Sequence, residues 1–173
     1  EKQKAQIEEW EPIIRRAHHE LDINEYFSGH QRDAWAKRHK PLDKLNNLMP
    51  EIVNASPLSK QISQITKFLA NPNDWREKKN KKFLITEKRK FKTFFDTIEK
   101  HPLTGKQRDA ILSNDNRCLT VAGAGTGKTS TVVGKVGHLL KTQWCEPNEI
   151  LVLSFSSSTV VELNERLAQV SAD

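Results

Sequence analysis

The chain has 173 residues and is basic, with 28 Lys/Arg against 22 Asp/Glu and a net charge of +6. At 36% hydrophobic and 29% charged it suits one ordinary domain or two small ones, and no apolar run nears the roughly 18 residues that span a bilayer. Its two cysteines, Cys118 and Cys145, stand in no metal-ligand spacing, which points to free thiols in a reducing, cytoplasmic setting.

The charge is uneven. Residues 1–100 hold 21 Lys/Arg and 15 Asp/Glu, whereas residues 101–173 hold 7 of each. Within the first part, residues 76–92 (REKKNKKFLITEKRKFK) carry 9 basic and 2 acidic side chains. Such a run either attracts phosphate backbones or forms a solvated helix face with a charged linker.

Residues 1–100 read as a helical domain broken at prolines. Trp10, Ile13, Ile14, Ala17 and Leu21 recur at amphipathic-helix spacing, with Pro12 starting or kinking that helix. Leu42, Leu45, Leu48, Met49 and Ile52 form a weaker stripe interrupted at Pro50. A third helix is expected from Ser56 as cap and Pro57 in the first turn, through Leu58, Ile62, Ile65 and Leu69, ending at Asn71-Pro72-Asn73. A fourth is expected to begin near Thr86 and to bury Phe91, Phe94, Phe95 and Ile98. The six histidines, including the pair His18-His19, lack a ligand set at metal spacing and read as structural or surface residues.

The pattern changes after His101-Pro102. Residues 118–122 (CLTVA) and 150–155 (ILVLSF) are short, non-alternating apolar runs that predict buried parallel strands. Residues 128–141 predict a helix with Val132, Val133, Val136, Leu139 and Leu140 inward. Residues 156–158 can cap a further helix reaching about Val170, with Val160, Leu163 and Leu167 as its apolar face and Glu162 and Arg166 paired at i, i+4. The expected fold class is therefore α/β: a helical N-terminal domain, then the strand–loop–helix–strand–helix opening of a P-loop nucleotide-binding domain over residues 101–173.

Between the first expected strand and its helix lies VAGAGTGKTS, residues 121–130. A nucleotide's phosphates need donors to replace water, and a glycine loop opening a helix offers backbone amides and a favourable dipole. Gly123, Gly125 and Gly127 supply the backbone freedom, Lys128 can reach the β- and γ-phosphates, and the Thr129 hydroxyl can bind Mg²⁺. Against G-x-x-x-x-G-K-[ST] the chain departs only at the first position, Ala122. Ala124, Thr126 and Ser130 complete the expected cradle for ATP, and Lys128 and Thr129 are the candidate catalytic residues.

Three segments then line up: LTGKQR at 103–108, AGAGTGKT at 122–129 and SFSSS at 154–158, the last leading into VVELNERL. Their order and spacing over residues 91–170 resemble the amino-terminal end of UvrD/Rep-type superfamily 1 DNA helicases, and most closely the helicase IV branch. The resemblance implies a RecA-like fold, ATP and Mg²⁺ as cofactors, and an enzyme that moves 3′ to 5′ on single-stranded or partly duplex DNA, with DNA repair among its settings. It also implies that Gln107 reads the adenine edge and that Phe155 and Ser156 contact single-stranded DNA. From the residues alone, Gln107 reads as a solvated helix residue and Phe155 as a core residue ending a strand.

Two positions depart from the pattern. Many family members carry Arg where this chain has Ser130, and an Asn-Lys pair where it has Ser157-Ser158. The acidic and arginine residues that complete ATP hydrolysis are not in the chain, which reads as an internal piece of a longer protein and as inactive alone. A second reading is a helicase-like ATPase that remodels a protein machine such as RNA polymerase, with the N-terminal helices as the partner surface. The broken stripes show no sustained heptad arm for that role.

Overall fold

The computed structural model describes the backbone of residues 1–171 and the side chains of residues 1–169. The chain divides into two compact units, Glu1–Phe83 and Leu84–Asp173.

In the first unit, α1 (Lys2–Asp22) buries Ile7, Ile14, Ala17 and Leu21, and it runs through Pro12 instead of starting there. Ile13, expected inside, is 42% exposed. A buried serine opens α2 (Gly29–Arg38): Ser28 accepts from the Gln31 amide while the Gln31 side chain accepts from the Ser28 amide. A 3₁₀ segment (Lys40–Asn47) and α3 (Pro50–Ala55) take the weaker leucine stripe, burying Leu42, Leu45 and Leu48 and leaving Met49 exposed. α4 (Ser59–Ala70) begins slightly later than the sequence suggests, because the Ser56 hydroxyl accepts from the Leu58 amide in the turn before it. Ile62, Ile65 and Phe68 of α4 are fully buried, and the Phe68 ring meets Trp35 at 4.5 Å and Trp75 at 5.2 Å. Aromatic pairs in such edge-on geometry add to the area they bury.

Asn71-Pro72-Asn73 both ends α4 and starts another helix. The Asn71 side chain accepts from the Asp74 amide, and Pro72 occupies a first-turn position that needs no amide hydrogen. α5 (Pro72–Lys90) therefore starts well before Thr86 and contains most of the basic run. Its one buried side chain, Asn80, closes a two-bond clasp on Phe27, accepting from the Phe27 amide at 2.8 Å and donating to its carbonyl at 3.0 Å.

The second unit holds α6 (Lys92–Thr97), α7 (Gly105–Leu112), α8 (Lys128–Lys141), a 3₁₀ turn (Pro147–Glu149) and α9 (Ser157–Ser171). The expected α/β fold does not form: every regular element among the described residues is helical, and none is a strand. Residues 118–122 and 150–155 are irregular connections. Leu119 and Val121 are 88% exposed, Leu151 80% and Leu153 81%, so neither run is covered. Apolar, branched residues favour extended backbone, but a strand exists only through ladder bonds to a neighbour, and these runs pair with none among the described residues.

Helix packing replaces the sheet in organising this unit. α7 and α8 approach closely at Gly134, where a Cβ would lie 2.5 Å from Ile111 Cδ1. Lys135 donates to the Ile111 and Ser113 carbonyls at the end of α7, and its burial lowers the ammonium below the ordinary lysine range. Phe95, Leu103, Ile111, Leu112 and Val133 are buried, with Phe91, Phe94 and Ile98 partly so. His138 of α8 lies among Phe91, Phe94 and Phe95, and both of its ring nitrogens are buried without a hydrogen-bond partner.

Burial, reinforced by the charges of Lys135 and Lys90, pushes the His138 imidazole down to about 4. Between that value and the ordinary one, near 6.5, the unfolded chain binds the proton and the folded chain does not. The stability linked to His138 is thus fully present above about pH 6.5 and is lost as pH falls through about 4. Replacement His138→Phe is expected to flatten the fall of the thermal midpoint between pH 7 and 4 relative to wild type. Parallel midpoint curves for the two proteins would overturn this account.

Candidate nucleotide-binding loop

Residues 122–130 run from an irregular connection into α8, and two glycines shape the turn. Gly125 has φ +70° and Gly127 φ +83°, left-handed conformations that a side chain disfavours. Space limits Gly127 as well: a Cβ there would lie 2.3 Å from Gln107 Nε2. Gly127 is the N-cap of α8, and no side chain caps the helix. The first-turn amides are thereby free of intrahelical partners, with no acidic side chain among the first-turn residues.

Side chains hold the loop around this helix start. Thr126 Oγ1 donates to the Gly123 carbonyl at 2.8 Å. Lys128 Nζ donates to the Ala122 carbonyl at 3.2 Å and the Gly123 carbonyl at 2.8 Å, bringing the ammonium back across the loop. Gln107 Nε2 donates to the Thr126 and Gly127 carbonyls, each at 3.3 Å. Its Oε1 accepts from the Thr104 amide at 2.7 Å, while Thr104 Oγ1 accepts from the Gln107 amide at 3.3 Å. Gln107 therefore closes the capping box of α7 and holds the glycine loop with the same amide group.

α7 is itself fixed from behind. Arg108 Nε donates to the Leu103 carbonyl at 2.7 Å, and its Nη2 meets Asp96 Oδ1 at 2.7 Å. Hydrogen bonds from Lys92 and Arg108 hold the Asp96 carboxyl below the usual carboxylate range.

The loop answers the charge and shape of a polyphosphate: an ammonium, an uncapped helix start and two left-handed glycines converge on one turn. For a cation carried by the nucleotide, the half-buried Thr129 can offer one hydroxyl. No group of three or more His, Cys, Asp or Glu able to hold a metal occurs among the described residues.

Ser130 faces a different partner. Its Oγ donates to Glu99 Oε2 at 3.3 Å and accepts from Arg166 Nη2 at 2.9 Å. Arg166 Nη2 reaches Glu99 Oε2 at 2.6 Å and Nη1 reaches Glu162 Oε1 at 2.7 Å. The i, i+4 pair with Glu162 was legible in the sequence. The less exposed contact with Glu99 spans 67 positions and has no local signature.

Phe155 and Ser156 lie at the start of α9. Phe155 is fully exposed, so it is no core residue, and Ser156 Oγ accepts from the Thr159 amide at 3.2 Å in a local cap.

Comparison with known proteins bears on this second unit. Residues 103–173 match the UvrD/REP helicase N-terminal domain. The chain is 35% identical to DNA helicase IV of Escherichia coli (strain K12) over 86 residues, which is 50% of this chain and 12% of that protein. It is 32% identical to DNA helicase II of the same strain over 68 residues, 39% of this chain and 9% of that protein. With ATP-dependent DNA helicase UvrD1 of Mycobacterium leprae (strain TN) it shares 31% identity over 71 residues, 41% of this chain and 9% of that protein. The chain thus spans about a tenth of the length of these UvrD-type relatives. No solved structure matches the chain significantly.

Loss of the Gln107 side chain should loosen the loop and the α7 start together. In Gln107→Ala, amide hydrogen exchange at residues 104–108 and 123–128 is expected to quicken, consistent with a local loss of about 1 kcal/mol for a broken helix cap. Faster exchange confined to α7 would disprove the link to the loop.

Proposed function

We propose that the protein is an ATP-dependent DNA helicase or translocase, in which this chain contributes the nucleotide-binding loop and a single-stranded DNA contact. The loop geometry around Gly127 and Lys128 carries the reading, because it is an anion cradle within the segment that matches UvrD/REP helicases. The names of the relatives, DNA helicase IV and DNA helicase II, support DNA as the partner.

In this reading ATP·Mg²⁺ is the substrate. Its phosphates lie against the amides of residues 123–129 and the N-terminus of α8, lined by Ala122, Ala124, Thr126 and Ser130. Lys128 exchanges its carbonyl contacts for the β- and γ-phosphate oxygens, and Thr129 takes one position on Mg²⁺. Gln107 meets the adenine edge by releasing the Thr104 and loop contacts it makes in this structure. Phe155 offers an exposed ring for a base to stack on, Ser156 offers a hydroxyl to the backbone, and movement runs 3′ to 5′. Residues 1–100 act as a helical accessory domain and residues 101–173 as the amino-terminal part of the ATP-binding domain, in a cytoplasmic protein. No helix among the described residues is long and apolar enough to cross a membrane.

The basic run has a defined part here. Lys78 pairs with Asp74 and Lys88 with Asp109, whereas Lys81 and Arg89 present exposed charge from α5 to DNA phosphates. Changing Lys81 and Arg89 to Ala is expected to lower the slope of log affinity against log salt by about two. An unchanged slope would remove α5 from the DNA interface.

The deciding experiment is ATP turnover by the full-length protein with and without single-stranded DNA. Turnover is expected to rise with DNA and to fall by roughly a hundredfold or more in Lys128→Ala. Undiminished turnover in that variant, or indifference to DNA in wild type, would overturn the reading.

A further inference from the structure

Arg166 joins three segments of the second unit at one point. Glu99 comes from the connection between α6 and α7, Ser130 from the first turn of α8, and Arg166 from α9. Arg166 Nη2 contacts both partners, Glu99 at 2.6 Å and Ser130 at 2.9 Å, and Glu99 also accepts from Ser130 at 3.3 Å. The Glu99 side chain is 13% exposed and that of Arg166 23%, so the pair is screened less than a surface ion pair.

The position of each end gives this junction its meaning. Ser130 directly follows Lys128 and Thr129 in the first turn of α8. α9 begins directly after Phe155 and Ser156, and Ser156 is tied to the helix by its bond from the Thr159 amide and by the Val160 amide on its carbonyl. A helix moves as a body, so a displacement at residues 155–156 also displaces Arg166, three turns along. That displacement pulls on Ser130 and Glu99, next to the residues that would hold phosphate and cation.

We propose that Arg166, held by Glu99, is a positioning residue that couples DNA contact at residues 155–156 to nucleotide affinity at residues 122–130. The inference rests on the helicase reading above. The coupling has two states with physical content: the Arg166–Glu99–Ser130 junction closed, as in this structure, or opened when DNA shifts α9. Glu162 takes no part in the junction, because it holds only the outer nitrogen of the guanidinium at a 56% exposed carboxylate.

The test measures the dissociation constant of a fluorescent ATP analogue in the full-length protein, with and without an oligothymidine strand. In Arg166→Gln, and separately in Glu99→Gln, the junction is open without DNA, so affinity without DNA is expected to move toward the value that wild type shows with DNA. The factor by which DNA changes that affinity should shrink roughly fivefold or more. The double variant should lose no more coupling than either single variant, and Glu162→Gln should retain it. Helical circular dichroism and melting of each variant identify any that fail to fold, and Glu99→Gln, which keeps hydrogen-bonding groups in place, carries the test if Arg166→Gln does so. An intact DNA effect in a folded variant overturns this inference alone, as does an equal loss of affinity with and without DNA. A wild-type protein whose nucleotide affinity ignores both DNA and the Lys128→Ala change overturns the helicase reading and this inference with it.

Discussion

The turn at Gly127 is the constraint on which the site depends. With φ at +83° the chain leaves the loop and enters α8 in one residue, so the helix starts without a side-chain cap. Gln107 Nε2 packs close to the same position, so a Cβ there would push that flexible side-chain end aside. The left-handed backbone is the requirement that glycine meets here, and the approach of Gln107 from α7 adds to it. Lys128 follows directly, which puts its ammonium within reach of the loop carbonyls.

Around that turn the second unit is organised by polar side chains that bridge helices. Gln107 ties α7 to the loop, Lys135 ties α8 to the end of α7, Arg108 ties α7 to α6, and Arg166 ties α9 to the first turn of α8. Their partners lie between 12 and 36 residues away, and all four bridging side chains fall within residues 103–173, the segment that matches the helicase domain. The aromatic nest of Phe91, Phe94 and Phe95 supplies apolar burial beneath them. It also encloses the neutral ring of His138, a polar group whose burial has no compensating bond.

The first unit is held differently. Its core is a continuous apolar cluster from α1 through α4, closed by edge-on contacts among Phe27, Trp35, Phe68 and Trp75. α5 joins it through Asn80 and presents much of its remaining surface as charge. The two units therefore contribute different chemistry: a packed apolar core and basic helix in one, and a polar-bridged loop site in the other.

The sequence by itself determined what depends on local spacing. The stripe of Ile14, Ala17 and Leu21 is legible because side chains three and four apart share a helix face, and residues 128–141 are helical as their pattern implies. The glycine loop with Lys128 and Thr129 is legible because its chemistry is contiguous in the chain. The reach of α5 was less so, since Asn71-Pro72-Asn73 reads equally as a stop or a start until the Asn71 cap is seen. Tertiary structure alone decided the fate of residues 118–122 and 150–155: apolar composition marks a run as strand-like, but pairing partners decide whether it becomes a strand. It alone also joined Gln107 to the loop and Arg166 to Glu99 and Ser130, because those bonds depend on how helices distant in sequence are brought together in space.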